Sequence, residues 1–137
     1  MLILFKVINL NQETTLIFVI CYSICTILIY KFLKFKAKIK NMEFIDAICT
    51  DKTLRTTYQK NIRMYFYSYK YNEEDFQTSD STRLNIPGFN PQINKVFKIY
   101  IDPKNPQNCV TPLEIYYSKI YIITAVILLF LPFLLII

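Results

Sequence analysis

The sequence predicts a membrane α+β protein in which two transmembrane helices flank a small antiparallel β-sheet or partly open β-barrel domain. Three observations carry that prediction. Residues 14–30 (TTLIFVICYSICTILIY) and 120–137 (IYIITAVILLFLPFLLII) contain no charged side chain. Lysines crowd the end of the first run. Between the runs, aromatic and β-branched residues alternate with polar ones and are punctuated by Pro, Asn and Asp, the pattern of short strands joined by turns.

A helix crosses a bilayer with about 20 mostly apolar residues. Both runs reach that length once flanking aromatics and snorkelling lysines are included. The spans are placed at 14–35 and, with its lead-in, 113–137. The alternative of two buried helices in a soluble protein fails on size, because residues 43–112 are too few to cover helices apolar on every side. Residues 1–13 begin with an apolar stretch (MLILFKVI) that Asn9, Asn11, Gln12 and Glu13 cut off from the span, and they read as an interfacial segment.

Lys31, Lys34, Lys36, Lys38 and Lys40 stand at the end of the first span, against Lys6 and Glu13 before it. Positive charge is retained on the cytoplasmic side, so the central segment is expected there with both termini outside. A secretory signal would carry its charge ahead of the apolar stretch. Residues 36–42 form a basic juxtamembrane linker and 43–112 the β domain. The net charge of +6 does not indicate nucleic acid. Residues 43–112 hold nine Lys/Arg and eight Asp/Glu, so the excess lies in the five lysines. Lysines at a membrane boundary attract anionic headgroups at about 1 kcal/mol each. Membrane lipid is therefore the expected partner, and a basic face on the folded domain, which nucleic acid would need, is not expected.

Composition also limits the chemistry. The chain has no histidine, no tryptophan and one glycine. It therefore lacks the usual general base, the commonest metal ligand and any glycine-rich phosphate loop. No cofactor is expected. Neither uncharged run, 14–30 or 120–137, carries a charged side chain, which leaves no proton relay or ion path within it.

In the central segment, residues 61–71 (NIRMYFYSYKY) place Ile62, Met64 and Phe66 on one face and Arg63, Tyr65, Tyr67, Tyr69 and Tyr71 on the other. Residues 95–102 (KVFKIYID) place Phe97, Ile99 and Ile101 opposite Lys98, Tyr100 and Asp102. Residues 44–50 form a weaker strand, and 76–86 one or two short ones. Turns are expected at 71–75, 86–91 and 102–106.

The last of these strands ends in Ile99-Tyr100-Ile101-Asp102-Pro103-Lys104-Asn105-Pro106. With the spans and the Tyr-rich strand at 62–71, this resembles a bacterial two-span membrane family of unknown function. Its small β domain closes on a Tyr-x-Asp-Pro-x-x-Pro type of sequence, here within 96–106. The resemblance covers roughly residues 14–137, and Asn72-Glu73-Glu74 stands where that family usually has a glycine. It implies the architecture and a bacterial inner (plasma) membrane, and it supplies no catalytic residue.

Candidate sites follow. Asp102, Pro103 and Pro106 read as a rigid strand-terminating turn in preference to a ligand loop. Glu73, Glu74 and Asp75 read as a solvated hairpin loop in preference to a cation site. Tyr65, Tyr67, Tyr69 and Tyr71 form either an exposed protein-docking stripe or the second face of a small core, and both readings stand. Cys21 and Cys25 share one helical face as small apolar residues. Cys49 and Cys109 approach each other if the first and last strands of the domain pair. The function expected is a non-enzymatic, membrane-anchored β module that binds a protein or serves as a scaffold at the cytoplasmic face. The alternative is an immunity or accessory protein of a toxin or secretion system. Association with a second copy through the face of Ser23, Cys25 and Thr26 is a further option.

Overall fold

A computed structural model describes residues 12–57, 60–83 and 85–134; of the interfacial segment expected over 1–13, residues 1–11 lie outside them, and Gln12 and Glu13 begin the first helix. The element order is α1 (Gln12–Ile39), β1 (Glu43–Thr57), β2 (Lys60–Tyr71), β3 (Glu74–Thr82), β4 (Val96–Asp102), β5 (Asn105–Val110) and α2 (Pro112–Leu134). Two apolar helices thus flank a five-stranded antiparallel sheet of order β3-β2-β1-β4-β5. The edges β3 and β5 come together, so the sheet is nearly closed. The chain divides into two compact units, one holding the described parts of Met1–Lys34 and Lys119–Ile137, the other Phe35–Ser118.

Thr14–Ile39 and Pro112–Leu134 are both long and apolar enough to cross a membrane. They run antiparallel: Phe18 meets Phe133 edge-on at 6.0 Å, Cys25 Sγ–H points to the Ala125 carbonyl at 3.4 Å, and the Lys31 ammonium lies 5.5 Å from the centre of the Tyr121 ring. The seam is built from small or compact residues, with Cys21, Cys25, Ala125 and Pro132 buried, which allows close backbone approach. Cys25 is therefore taken up by the partner helix of its own chain. Ser23 and Thr26 bond back to Val19 and Tyr22 on their own helix. The first helix continues to Ile39, so most of the expected linker over 36–42 is helical. Nothing in Lys36-Ala37-Lys38-Ile39 breaks a helix, and Lys36 and Lys38 complement its C-terminal dipole.

In the β domain, Ala47 and Cys49 of β1, Tyr65, Tyr67 and Tyr69 of β2, and Ile99 and Ile101 of β4 point inward and form the core with Phe89 and Leu113. Phe97 shares a face with Ile99 and Ile101, as the alternation predicts, and packs against that core. The expected weak strand at 44–50 runs on to Thr57, past a bulge between Cys49 and Asp51. Its outer half, described as exposed through Thr56, has no buried face and hence no hydrophobic alternation; pairing with β2 holds it extended. The region 76–86 contributes a single strand, Glu74–Thr82, with an alternating burial pattern.

The turn expected at 102–106 is shorter than the sequence suggests. Pro103 and Lys104 make it, and the Asp102 carboxylate accepts the Lys104 N–H at 2.9 Å. Pro106 is instead the second residue of β5. A proline survives there because β5 ends the ladder and need not donate on both sides. Since β4 lies between β1 and β5, the first and last strands do not pair, and all four cysteines are free. The β2–β3 hairpin turns through Asn72 (φ 48°) and Glu73 (φ 68°), both left-handed, where Asn-Gly would carry less strain.

Candidate functional site

The Tyr face of β2 is core. Tyr65, Tyr67 and Tyr69 are buried, and Tyr71 packs against the same cluster, so they do not form the exposed docking stripe that one reading allowed. A nearly closed small sheet needs long side chains to fill its interior, and tyrosine supplies area provided its hydroxyl is placed. Tyr69 donates to the Pro106 carbonyl at 2.7 Å, tying β2 to β5. Burial raises its pKa, helped by the adjacent Cys109. Burial first and the Asp80 carboxylate second raise the pKa of the fully enclosed Tyr67 hydroxyl, which faces Asp80 closely enough to act on it although it falls short of an aligned hydrogen bond. Burial likewise raises the Cys49 thiol pKa, so it stays protonated.

Asp80 is the one buried carboxylate among the described residues, at 5% exposure. Alternation along β3 turns it inward, where Oδ2 accepts the Leu113 N–H at 3.1 Å. That N–H is one of the free donors of the first turn of α2. Thr111 precedes that turn, with its Oγ1 accepting the Glu114 N–H at 3.5 Å and Pro112 at the first helical position, a regular start. Desolvation raises the Asp80 pKa, opposed by Thr111, Leu113 and Tyr67. Its role is mechanical: it fastens the root of α2 to the sheet.

The lysines do not act as one set. All five are exposed, but Lys38 pairs with Glu114 at 2.9 Å while Lys31 lies on Tyr121. Glu73, Glu74 and Asp75 stay exposed in their hairpin, and no metal-ligating group of three converges among the described residues.

Charge in the β domain is segregated along the strands, although its total is nearly neutral. After Asp51 the next acid is Glu73, and after Asp80 the next is Asp102. The register sets these two acid-free runs side by side. Lys52 is opposite Tyr65 and Tyr65 opposite Asp80, so beyond that line β1, β2 and the chain leaving β3 carry Lys52, Arg55, Lys60, Arg63 and Arg83 with no acid. Toward the other end of the sheet Lys98 pairs with Asp46, and Lys70 stands opposite Asp75. Lys52, Arg55, Arg63 and Arg83 have no carboxylate partner among the described residues.

A cleft of about 540 Å³ opens at this basic end. One wall is Lys52–Leu54 of β1, the floor is Arg63 and Tyr65 of β2, and the other wall is the loop Asn85–Asn90. The cations are bound by neutral amides: Lys52 Nζ donates to Asn90 Oδ1 at 3.3 Å and Arg63 to Asn85 Oδ1 at 2.6 Å. The loop is set by a type II turn, in which the Phe89 N–H bonds to the Ile86 carbonyl with Pro87 and Gly88 (φ 80°) between them. The Tyr116 hydroxyl of α2 donates to the Pro87 carbonyl, and a Cβ on Gly88 would stand 2.8 Å from that hydroxyl. Phe89 then closes edge-on over Tyr65 at 5.6 Å. A broader depression near Ile48 and Val96 carries Asp46, Lys70 and Asp75 and so has no uncompensated charge of one sign. The sequence reading missed the cleft because it summed charge over the whole domain. The signal was the two acid-free runs.

Compared with protein-family models, curated proteins and solved structures, the chain matches nothing.

Proposed function

We propose that the chain is a non-enzymatic β module, anchored in a bacterial inner membrane by its two helices, that holds a protein partner at the cytoplasmic face. Lys31, Lys34, Lys36, Lys38 and Lys40 favour that orientation. The observation that carries the binding role is the cleft with its uncompensated cations. With the tyrosines spent on the core, this end of the β domain presents a cleft whose cations form no ion pair with the chain's own carboxylates among the described residues. Charge presented in this way steers an oppositely charged partner and selects against others.

The test is purification of the full chain in mild detergent beside a Lys52→Glu/Arg63→Glu double variant. A stoichiometric protein that accompanies the parent chain and is lost from the variant supports the proposal. A parent chain that purifies alone from its native host overturns it. The identity of the partner separates a scaffold from an immunity or export-accessory protein, since only a toxin or a secretion subunit fits the latter.

A further inference from the structure

The basic end also has an open strand. β1 is paired with β2 along its outer half, but on its other side β4 accompanies it only to Ile48. The Cys49 N–H then bonds to the Lys95 carbonyl and its carbonyl to the Asn94 N–H. From Asp51 to Thr57 that second edge has no backbone partner among the described residues, although the Lys52 N–H is held by Asp51 Oδ1 at 2.7 Å. An unpaired edge is a template for another strand, and alternate residues offer it a donor and an acceptor. Leu54, 60% exposed, lies midway along this edge and also borders the cleft.

We infer that the free edge of β1 over Asp51–Thr57 takes up an extended acidic segment of a partner protein as an added strand, its carboxylates on the cleft face meeting Lys52 and Arg63. This rests on the reading of the chain as a binding module and names the site and the chemistry of its occupant. Charge complementarity selects that occupant. A second copy of this chain would bring a second set of Lys52, Arg55 and Arg63 to the same edge with no acid to meet them, and like charges across a strand pair are unfavourable. A basic peptide is repelled in the same way. An acidic strand satisfies both the backbone and the side chains. Anionic lipid would satisfy the side chains alone and leave the edge amides open.

The experiment uses the full chain in discs of phosphatidylcholine and a fluorescein-labelled peptide of about ten residues alternating Glu and Val. Three results are expected. Binding weakens at least roughly tenfold as salt rises from about 50 to about 300 mM. Methylating alternate peptide nitrogens on the pairing side weakens it at least roughly tenfold. Peptide binding slows amide exchange across Asp51–Thr57 by at least about tenfold. The N-methyl comparison leaves the protein unaltered, so it does not depend on how any variant folds.

Equal binding of the methylated peptide, or of a Lys-Val peptide, overturns the inference. So does no binding, and so does protection of those amides by phosphatidylglycerol in the disc but not by the peptide, which would assign the site to lipid. Failure here is distinct from failure of the module reading. A co-purifying partner that survives Lys52→Glu/Arg63→Glu leaves the module standing and removes this site.

Discussion

Between the two helices the buried residues are Cys21, Cys25, Ala125 and Pro132, while Leu16, Val19, Ile27, Ile123, Ile127 and Phe130 are exposed. In the β domain the order is reversed. Tyr65, Tyr67, Tyr69, Ile99 and Ile101 fill the interior, and charged residues, Thr and Asn dominate outside. The difference is one of solvent. Water drives large apolar side chains inward and requires buried polar groups to be paired. Hydrocarbon is as apolar as leucine, so helices gain nothing by hiding leucine and associate instead through small residues that let backbones approach. The same chain therefore obeys two packing rules, and substitutions should separate them.

The largest contrast is at Tyr67. Tyr67→Ala should destabilise the β domain by about 3–5 kcal/mol, as other large aromatic truncations in cores do. Ile127→Ala, on the outward face of α2, should cost less than about 0.5 kcal/mol. Urea unfolding of the full chain in detergent, followed by tyrosine circular dichroism, reads both. Equal costs would remove the distinction.

Asp80 comes next. Asp80→Leu leaves the buried Leu113 N–H without an acceptor and should cost about 1–3 kcal/mol, whereas Asp80→Asn keeps an acceptor. The pH dependence has a definite sign. Burial raises the folded-state pKa above the ordinary 3.8, so the folded chain holds this proton more tightly than the unfolded one. Stability from this group therefore falls as pH rises from 3.8 through the raised value, and it is level above that. Difference unfolding curves between parent and Asp80→Asn across that window should show the slope in the parent alone.

At the helix seam the rule inverts. Ala125→Leu adds an apolar side chain, yet it should weaken the helix pair by about 1–3 kcal/mol through overpacking against Cys25. The readout is faster labelling of Cys25 by a membrane-permeant maleimide. Unchanged protection would show that the seam does not depend on small residues.

The smallest effects should differ in their cause. Tyr69→Phe removes the bond to Pro106 and should cost about 1 kcal/mol at every pH, while Tyr67→Phe removes the hydroxyl that acts on Asp80 and should cost up to about 1 kcal/mol only where that carboxylate is charged. Equal losses at low and neutral pH in the Tyr67 variant would show that its hydroxyl does not act on Asp80.

Much of this architecture was legible because its signals are local. An uncharged run declares a helix suited to lipid, and alternation along 61–71 and 95–102 declares strands and which residues share a face. Three features were not legible in that way. The outer half of β1 is held by β2 and has no pattern of its own. β5 reads as a turn because Asn105, Pro106 and Asn108 are turn formers, and it becomes a strand only where Ile101 and Asp102 of β4 offer a ladder. The helical continuation through Lys36 and Lys38 was hidden by the habit of ending a span at its first charges.

The sequence by itself determined the two apolar helices, the basic boundary between helix and domain, and the β character of the middle. Each is a matter of composition or of a period of a few residues, and solvent enforces both locally. Only the tertiary structure decided that the tyrosines face inward, that Asp80 fastens α2, and that Lys52, Arg55, Arg63 and Arg83 gather at one end beside an open edge. Those outcomes depend on which strands pair and in what register. Register is fixed by contacts between residues far apart in the chain, so no single stretch of sequence contains it.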